Sequence, residues 1–154
     1  MRILFLGDVV GRPGREIIKE KLSSFRKENG IDFVIVNGEN AAGGSGLTPK
    51  VTDEILRGGV DVITSGDHIW KKREIYEYLD ETTRLVRPAN YPKDVPGKGS
   101  TVVSANGIKV GVINIIGRVF MDAVESPFEV VLEHIEALKE ETNIIIVDFH
   151  AEAT

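Results

Sequence analysis

The stretch VIVNGENAAGG, residues 34–44, opens on three β-branched residues, Val34, Ile35 and Val36, and closes on amides, a carboxylate and glycines. A short apolar run bounded by turn residues predicts a buried strand. The loop that follows is too rich in glycine to hide Glu39 and Asn40. The strand therefore delivers polar groups to an edge.

Outward from this stretch the pattern recurs. ILFLG (3–7) predicts a strand that ends at Asp8. GRPGREIIKEKLSSFRKENG (11–30) predicts a helix, with Pro13 in its first turn, Ile18, Leu22 and Phe25 on one face, and Asn29-Gly30 as its stop. A second helix begins at Thr48-Pro49, carries Val51, Ile55 and Leu56 as its stripe, and ends at Gly58-Gly59. VDVITSG (60–66) predicts a third strand and KKREIYEYLDE (71–81) a more polar helix. RPANYPKDVPGKG (87–99) is a loop holding three of the chain's six prolines. STVVSANGIKVGVINI (100–115) predicts a hairpin around Asn106-Gly107. Ser126-Pro127 opens a helix with an apolar stripe of Phe128, Val131, Leu132, Ile135 and Leu138, and NIIIVDFH (143–150) predicts the last strand. The β-α-β-α-β order of the first half argues for parallel strands with helical crossovers. The hairpin makes the sheet mixed. The expected class is α/β, a mixed central sheet flanked by helices in a single domain over 1–154.

Composition narrows the functions. The chain has 154 residues, 42% apolar and 28% charged, with a formal charge of -5. An acidic chain has no general attraction for duplex DNA. The absence of cysteine excludes disulfides, thiolate metal sites and cysteine nucleophiles. The apolar start is too short for a signal peptide or a membrane span, and the default expectation is a cytoplasmic protein without a membrane partner.

In open parallel sheets ligands bind beyond the carboxyl ends of the strands. Asp8, Glu39 with Asn40, Asp67 with His68, and Asp148 with His150 all stand at such ends. Singly, each has an ordinary explanation. Asp8 and Asp67 suit helix caps, Asn40 a turn, Glu39 a solvated loop and His150 a hydrogen-bonded structural histidine. Jointly, acids, an amide and imidazoles crowded on one rim need protons or a cation. A mixed oxygen and imidazole set suits manganese, iron or zinc. Two such metals, bridged by a carboxylate, would clamp a phosphate and supply a hydroxide nucleophile, and an imidazole beside them would protonate the leaving oxygen. Asp148 shares a strand face with His150 and is left out of this set.

GDVVGRPGR, VNGENAAGG, SGDHIW, GRVFM and VDFHAEAT together resemble the YmdB-type branch of the calcineurin-like metallophosphoesterases, across Met1 to Thr154. The resemblance implies a metallophosphoesterase-like α/β sandwich and a dimetal phosphodiesterase, with iron or manganese as metal and 2',3'-cyclic nucleotides as a substrate class. It implies Asp8 at the first metal, Glu39 as the bridge, Asn40 and Asp67 at the metal pair, His150 at the second metal, and His68 as proton donor. Arg118, in GRVFM, is a candidate phosphate contact on no more than its place in the motif.

Two departures stand out. The family commonly has Asn where this chain has Asp67. A later Gly-His-x-His stretch of the family, one histidine for each metal, has no counterpart among His68, His134 and His150. The chain is therefore expected to be an N-terminal portion of the family's length, to be completed by another chain, or to be an inactive copy. Its exposed sheet edge would favour self-association. Two rival functions remain. One is a dinucleotide-binding domain, because Gly7, Gly11 and Gly14 follow a strand and Glu39 ends the next. The other is a non-catalytic metal-binding or regulatory module.

Overall fold

The computed structural model describes residues 1–152. Ala153 and Thr154, with which VDFHAEAT closes, lie outside the described residues. The chain runs β1 (Ile3–Leu6), α1 (Gly11–Ile17), a π-helical turn (Ile18–Leu22), α2 (Ser23–Glu28), β2 (Phe33–Asn37), α3 (Pro49–Arg57) and β3 (Val62–Thr64). A 3-10 helix (Asp67–Lys71), α4 (Ile75–Glu81), β4 (Leu85–Val86), β5 (Ser100–Ala105), β6 (Ile108–Ile116), α5 (Pro127–Lys139) and β7 (Ile145–His150) complete it.

Two sheets form, as the sandwich implied by the resemblance requires. The first is wholly parallel, in the order β1-β2-β3-β4. The second pairs β5 with β6 antiparallel and β6 with β7 parallel. Alternation along each strand explains how they stack. Phe33 and Ile35 of β2, with Val62 and Val86, meet Val110 and Val112 of β6 in the space between the sheets. Val34, Val36 and Ile63 point the other way, onto Ile18, Leu22, Ile55, Ile75 and Leu79 of the helices. Ile113 and Ile115 of β6 face Val130 and Leu138 of α5. The layers are therefore helix, sheet, sheet, helix. β2 is buried on both faces, so its sequence shows no alternation at all.

The local signals act as their chemistry requires. Thr48 accepts from the Val51 N–H at 3.2 Å, and Pro49 follows it at the first helical position. Asn106 and Gly107 both take positive φ, 52° and 77°, the backbone that a two-residue hairpin needs.

Several expectations are corrected. The helix over 11–30 contains a π turn, and that wider turn rotates Phe25 out of line with Ile18 and Leu22, leaving it exposed. In α5 the inward face runs through Val130 and Leu138 with Val131 and Ile135 half-buried beside them, so Val131, Ile135 and Leu138 of the expected stripe pack inward while Phe128 and Leu132 point outward, 73% and 61% exposed. Apolar residues cover more than half of that helix, so periodicity alone does not set the edges of the inward side. The helix expected over 71–81 starts at Ile75, after the 3-10 turn, and β4 is only two residues long. The dinucleotide reading loses its geometry as well. β1 is an edge strand, so no reversal of strand order opens a crevice beside it. No helix among the described residues is long and apolar enough to cross a membrane.

Candidate metal centre

Parallel pairing places the carboxyl ends of β1, β2 and β3 side by side, and β7 brings a fourth end across from the second sheet. The loops that leave these ends are tied to one another. Val9 N–H donates to the Asn37 carbonyl and Gly11 N–H to the Asn40 carbonyl, each at 2.9 Å. Gly46 N–H closes the glycine-rich loop onto the Glu39 carbonyl at 2.5 Å. Gly46 has φ +85°, and a Cβ there would meet Lys72 Cγ at 2.9 Å, so this turn requires glycine. Arg15 fastens the same loop from outside, donating to the Ala41 carbonyl at 2.6 Å.

Asn40 is the hub of the rim. Its Nδ2 donates to Asp8 Oδ1 at 2.8 Å and to Glu39 Oε1 at 3.2 Å. That orientation turns Oδ1 toward His68 Nδ1, 2.7 Å away, which makes Nδ1 the protonated ring nitrogen. His68 stands 3.8 Å from both Glu39 and Asp67. His150 Nε2 lies 3.4 Å from Glu39 Oε2 and 3.7 Å from Asp67 Oδ1. Asp8 holds φ 40°, a left-handed conformation that Asp tolerates better than most residues. Asp8, Glu39, Asn40, Asp67, His68 and His150 are thus linked through contacts shorter than 4 Å.

Three observations bear on a cation. Ligand atoms of Glu39, Asp67 and His150 all lie within 4.8 Å of one another. Glu39 is 3% exposed, and its Oε2 is a buried acceptor with no hydrogen-bond partner among the described residues. An unpaired buried carboxylate oxygen is costly, and a bound cation removes that cost. The third is Gly66. A Cβ at that position would fall within bonding range of Glu39 Oε2 and 2.8 Å from His150 Cδ2, so a side chain there would fill the space that these donors surround. The backbone of Gly66 is extended, φ −139° and ψ −151°, which any residue adopts. Space is the reason for glycine. The donors, two carboxylates and an imidazole, fit a first-row divalent metal.

Electrostatics agree with that fit. Burial pushes the Glu39 carboxyl above its ordinary range, with Asp67 and Asp8 adding to the rise and His150 and His68 opposing it. Burial also raises Asp148, opposed by hydrogen bonds from Thr64 and Asn37. Beside the rim, Trp70 meets Tyr91 edge-to-face at 5.4 Å, and the Tyr91 hydroxyl donates to Asp122 Oδ2 at 2.7 Å.

Two candidates are placed differently from the rest. Asn40 Oδ1 is engaged with His68, so it would have to turn to act as a ligand. Arg118 is exposed and lines a cleft of about 330 Å³ with Phe128 and Phe149. Phe149 occupies the strand face opposite to His150. Sequence reasoning missed Gly66, whose only signal was its place between a strand end and Asp67. It also left out Asn37, Asn114 and Asp148, which lie beneath the rim.

A sequence profile described as YmdB-like protein matches residues 4–154. The chain is 48% identical over its full length to the 2',3'-cyclic-nucleotide 2'-phosphodiesterase of Bacillus subtilis, of which it covers 58%. It resembles the crystal structure of a novel phosphatase from Mycoplasma pneumoniae with a TM-score of 0.87 and 36% identity, over 98% of this chain and 55% of that one. A hypothetical protein from Thermus thermophilus gives 0.85 and 38%, over 99% of this chain and 59% of that one. The chain thus spans little more than half the length of these relatives.

Proposed function

The chain belongs to the YmdB-like family, and from that membership and the geometry of the rim we propose that it carries part of the metal centre of a phosphodiesterase acting on small phosphodiesters, with 2',3'-cyclic nucleotides as the substrate class. The observation that carries this reading is the buried Oε2 of Glu39, without a hydrogen-bond partner among the described residues and facing His150 and Asp67. The 2',3'-cyclic-nucleotide 2'-phosphodiesterase of Bacillus subtilis, 48% identical, supports the choice of substrate class.

Divalent metal ions, with iron and manganese the best matches to an oxygen and imidazole set, supply the positive charge that polarises the phosphate and the acidity that makes water a nucleophile. Glu39, Asp67 and His150 would hold one ion. Asp8, with the second oxygen of Glu39, would hold the other, joined by Asn40 once its amide turns. His68 is the general acid. Its Nδ1 is anchored on Asn40 Oδ1, which fixes the ring and leaves Nε2 to serve the substrate. Water attacks phosphorus and gives up a proton to solvent, the bond to the ribose 2'-oxygen breaks, and His68, entering the step with both ring nitrogens protonated, gives that oxygen its Nε2 proton while its Nδ1–H stays on Asn40. The product is a 3'-nucleotide. Arg118 has no part in this scheme.

The test is hydrolysis of 2',3'-cyclic AMP by the full-length protein with manganese, with the product isomer identified by chromatography. Glu39→Gln is expected to abolish turnover, and near-normal activity in that variant would rule the mechanism out. His68→Ala is expected to lower kcat by about 10²- to 10⁴-fold at nearly unchanged metal content. Equal loss of metal would make His68 a ligand instead.

A further inference from the structure

Beneath the rim the two sheets are joined by polar groups around one carboxylate. Asp148 stands two residues before His150 on β7 and shares its face of the strand. Its Oδ2 accepts from Asn37 Nδ2 at 3.4 Å and from Asn114 Nδ2 at 3.5 Å, and Asn114 Nδ2 also donates to the Asp148 backbone carbonyl at 3.2 Å. The two side-chain distances are long, as befits one carboxylate oxygen shared between two amides. Asn37 and Thr64 are register partners at the ends of β2 and β3, and Asn114 is the register partner of Asp148 on β6. One side chain of the second sheet is therefore tied to β2 of the first through Asn37 and to its own neighbour β6 through Asn114.

The same groups grip each segment that carries a donor. Asn37 Oδ1 accepts from the backbone N–H of Glu39 at 3.2 Å. Asn114 Oδ1 accepts from the backbone N–H of Ser65 at 3.2 Å, two residues before Asp67. Asp148 is itself two residues before His150. We propose that Asp148, through Asn37 and Asn114, is the positioning residue of the metal centre: the network sets the spacing of Glu39, Asp67 and His150 without any of its members touching the ion. The inference rests on the reading of the rim as a metal centre.

The physical need is plain. The three donors come from two sheets whose shared interior is apolar. Apolar packing is non-directional and resists sliding weakly, whereas metal ligation tolerates errors of only about 0.2 Å. Directional hydrogen bonds in a dry interior supply the missing register. The bland alternative is that the network only stabilises the sandwich.

The two are separated by titrating the chelator-stripped, full-length protein with manganese, in the wild type and in Asp148→Ala. Alanine offers no acceptor, so the amide donors of Asn37 and Asn114 lose the oxygen they share. At a temperature where both proteins are fully folded, manganese affinity is expected to fall by about 10- to 100-fold, while the melting temperature of the metal-free protein falls because two buried donors are left without their acceptor. The electron spin resonance lines of bound manganese are expected to broaden as the donors lose their fixed spacing. Affinity within about twofold of wild type, at whatever melting temperature, overturns the inference. Should Asp148→Ala not fold, Asn37→Ser carries the same test, because serine reaches neither Asp148 nor the Ser65 carbonyl. A wild type that takes up no manganese would instead defeat the metal-centre reading itself.

Discussion

At Gly66 a hydrogen atom occupies the place where any other residue would carry carbon, and the donors of Glu39 and His150 close around that place. Gly66→Ala keeps an allowed backbone, since the segment is extended. Its methyl group competes directly with whatever Glu39 and His150 hold. The expected outcome is at least a tenfold loss of manganese affinity by isothermal titration, with a modest loss of stability, about 1–3 kcal/mol, from overpacking. Unaltered affinity would show that the enclosed space is not the metal position. Asn40 acts at the same scale. Its two ends face partners of opposite character, carboxylates on Nδ2 and an imidazole on Oδ1. That orientation dictates the protonated nitrogen of His68, which no sequence states. The identities of Asp8, Glu39, Asn40, Asp67, His68 and His150 were legible as candidates because polar residues at successive strand ends are not needed by a core. The contribution of Gly66 was not legible, because it depends on atoms from two other segments.

At the scale of elements, α5 shows why a stripe can be read and its edges missed. Val131, Ile135 and Leu138 of the expected stripe pack against the sheet, yet Val130 joins them, and Phe128 and Leu132 stay outside. His134 joins the inward side. Its Nδ1 lies 2.7 Å from the Ser100 hydroxyl at the head of β5, so α5 is pinned to the second sheet by a polar contact among apolar ones. Burial, followed by the charge of Arg87, lowers the pKa of His134, and Glu133 only partly offsets this. A histidine held below its unfolded value contributes stability that is fully present above that value, about 6.5, and lost as pH falls through the folded one. The full-length protein should therefore lose stability on acidification below about pH 6.5, and His134→Gln should lose less. Urea unfolding of both proteins on either side of that pH checks it, and parallel losses would remove His134 from the account. The π turn at Ile18–Leu22 is another feature of this scale. It leaves Ile18 against Gly58, where a Cβ would meet Ile18 Cγ2 at 2.8 Å.

For the molecule as a whole, the decisive fact is that the donors belong to both sheets. Glu39 and Asp67 follow β2 and β3, and His150 ends β7. A cation held by all three links the sheets and stabilises the native state by mass action. Manganese at a hundred times its dissociation constant is expected to add about 2.7 kcal/mol, and Glu39→Gln should remove most of that increment in thermal unfolding. The pH dependence has a definite sign. Glu39 is raised by burial when no metal is bound, so it keeps a proton to higher pH than in the unfolded chain. That proton must leave before a cation can bind, so affinity should rise with pH through the raised value, with proton release on binding. Calorimetry in buffers of different ionisation enthalpy measures the release, and a pH-independent affinity would contradict the burial of Glu39. In the metal-free protein the same raised group acts the other way, with its contribution to stability falling as pH rises through that window.

By itself the sequence determined the strands β1 to β3 and β5 to β7, where α1, α3 and α5 start, that the class is α/β, and which residues are surplus to a core. These properties reside in local chemistry: β-branched runs, a capping threonine before proline, an Asn-Gly turn, and polar residues that interrupt apolar ones. Only the tertiary structure decided which strands make up each sheet, where the inward face of α5 ends, that Asn40 joins Asp8 to His68, and that Asp148 bridges to Asn37. Those outcomes depend on distances between segments far apart in the chain. Such distances are set when the whole core is packed at once, because burial is non-directional and the buried hydrogen bonds then select one register from those that burial allows.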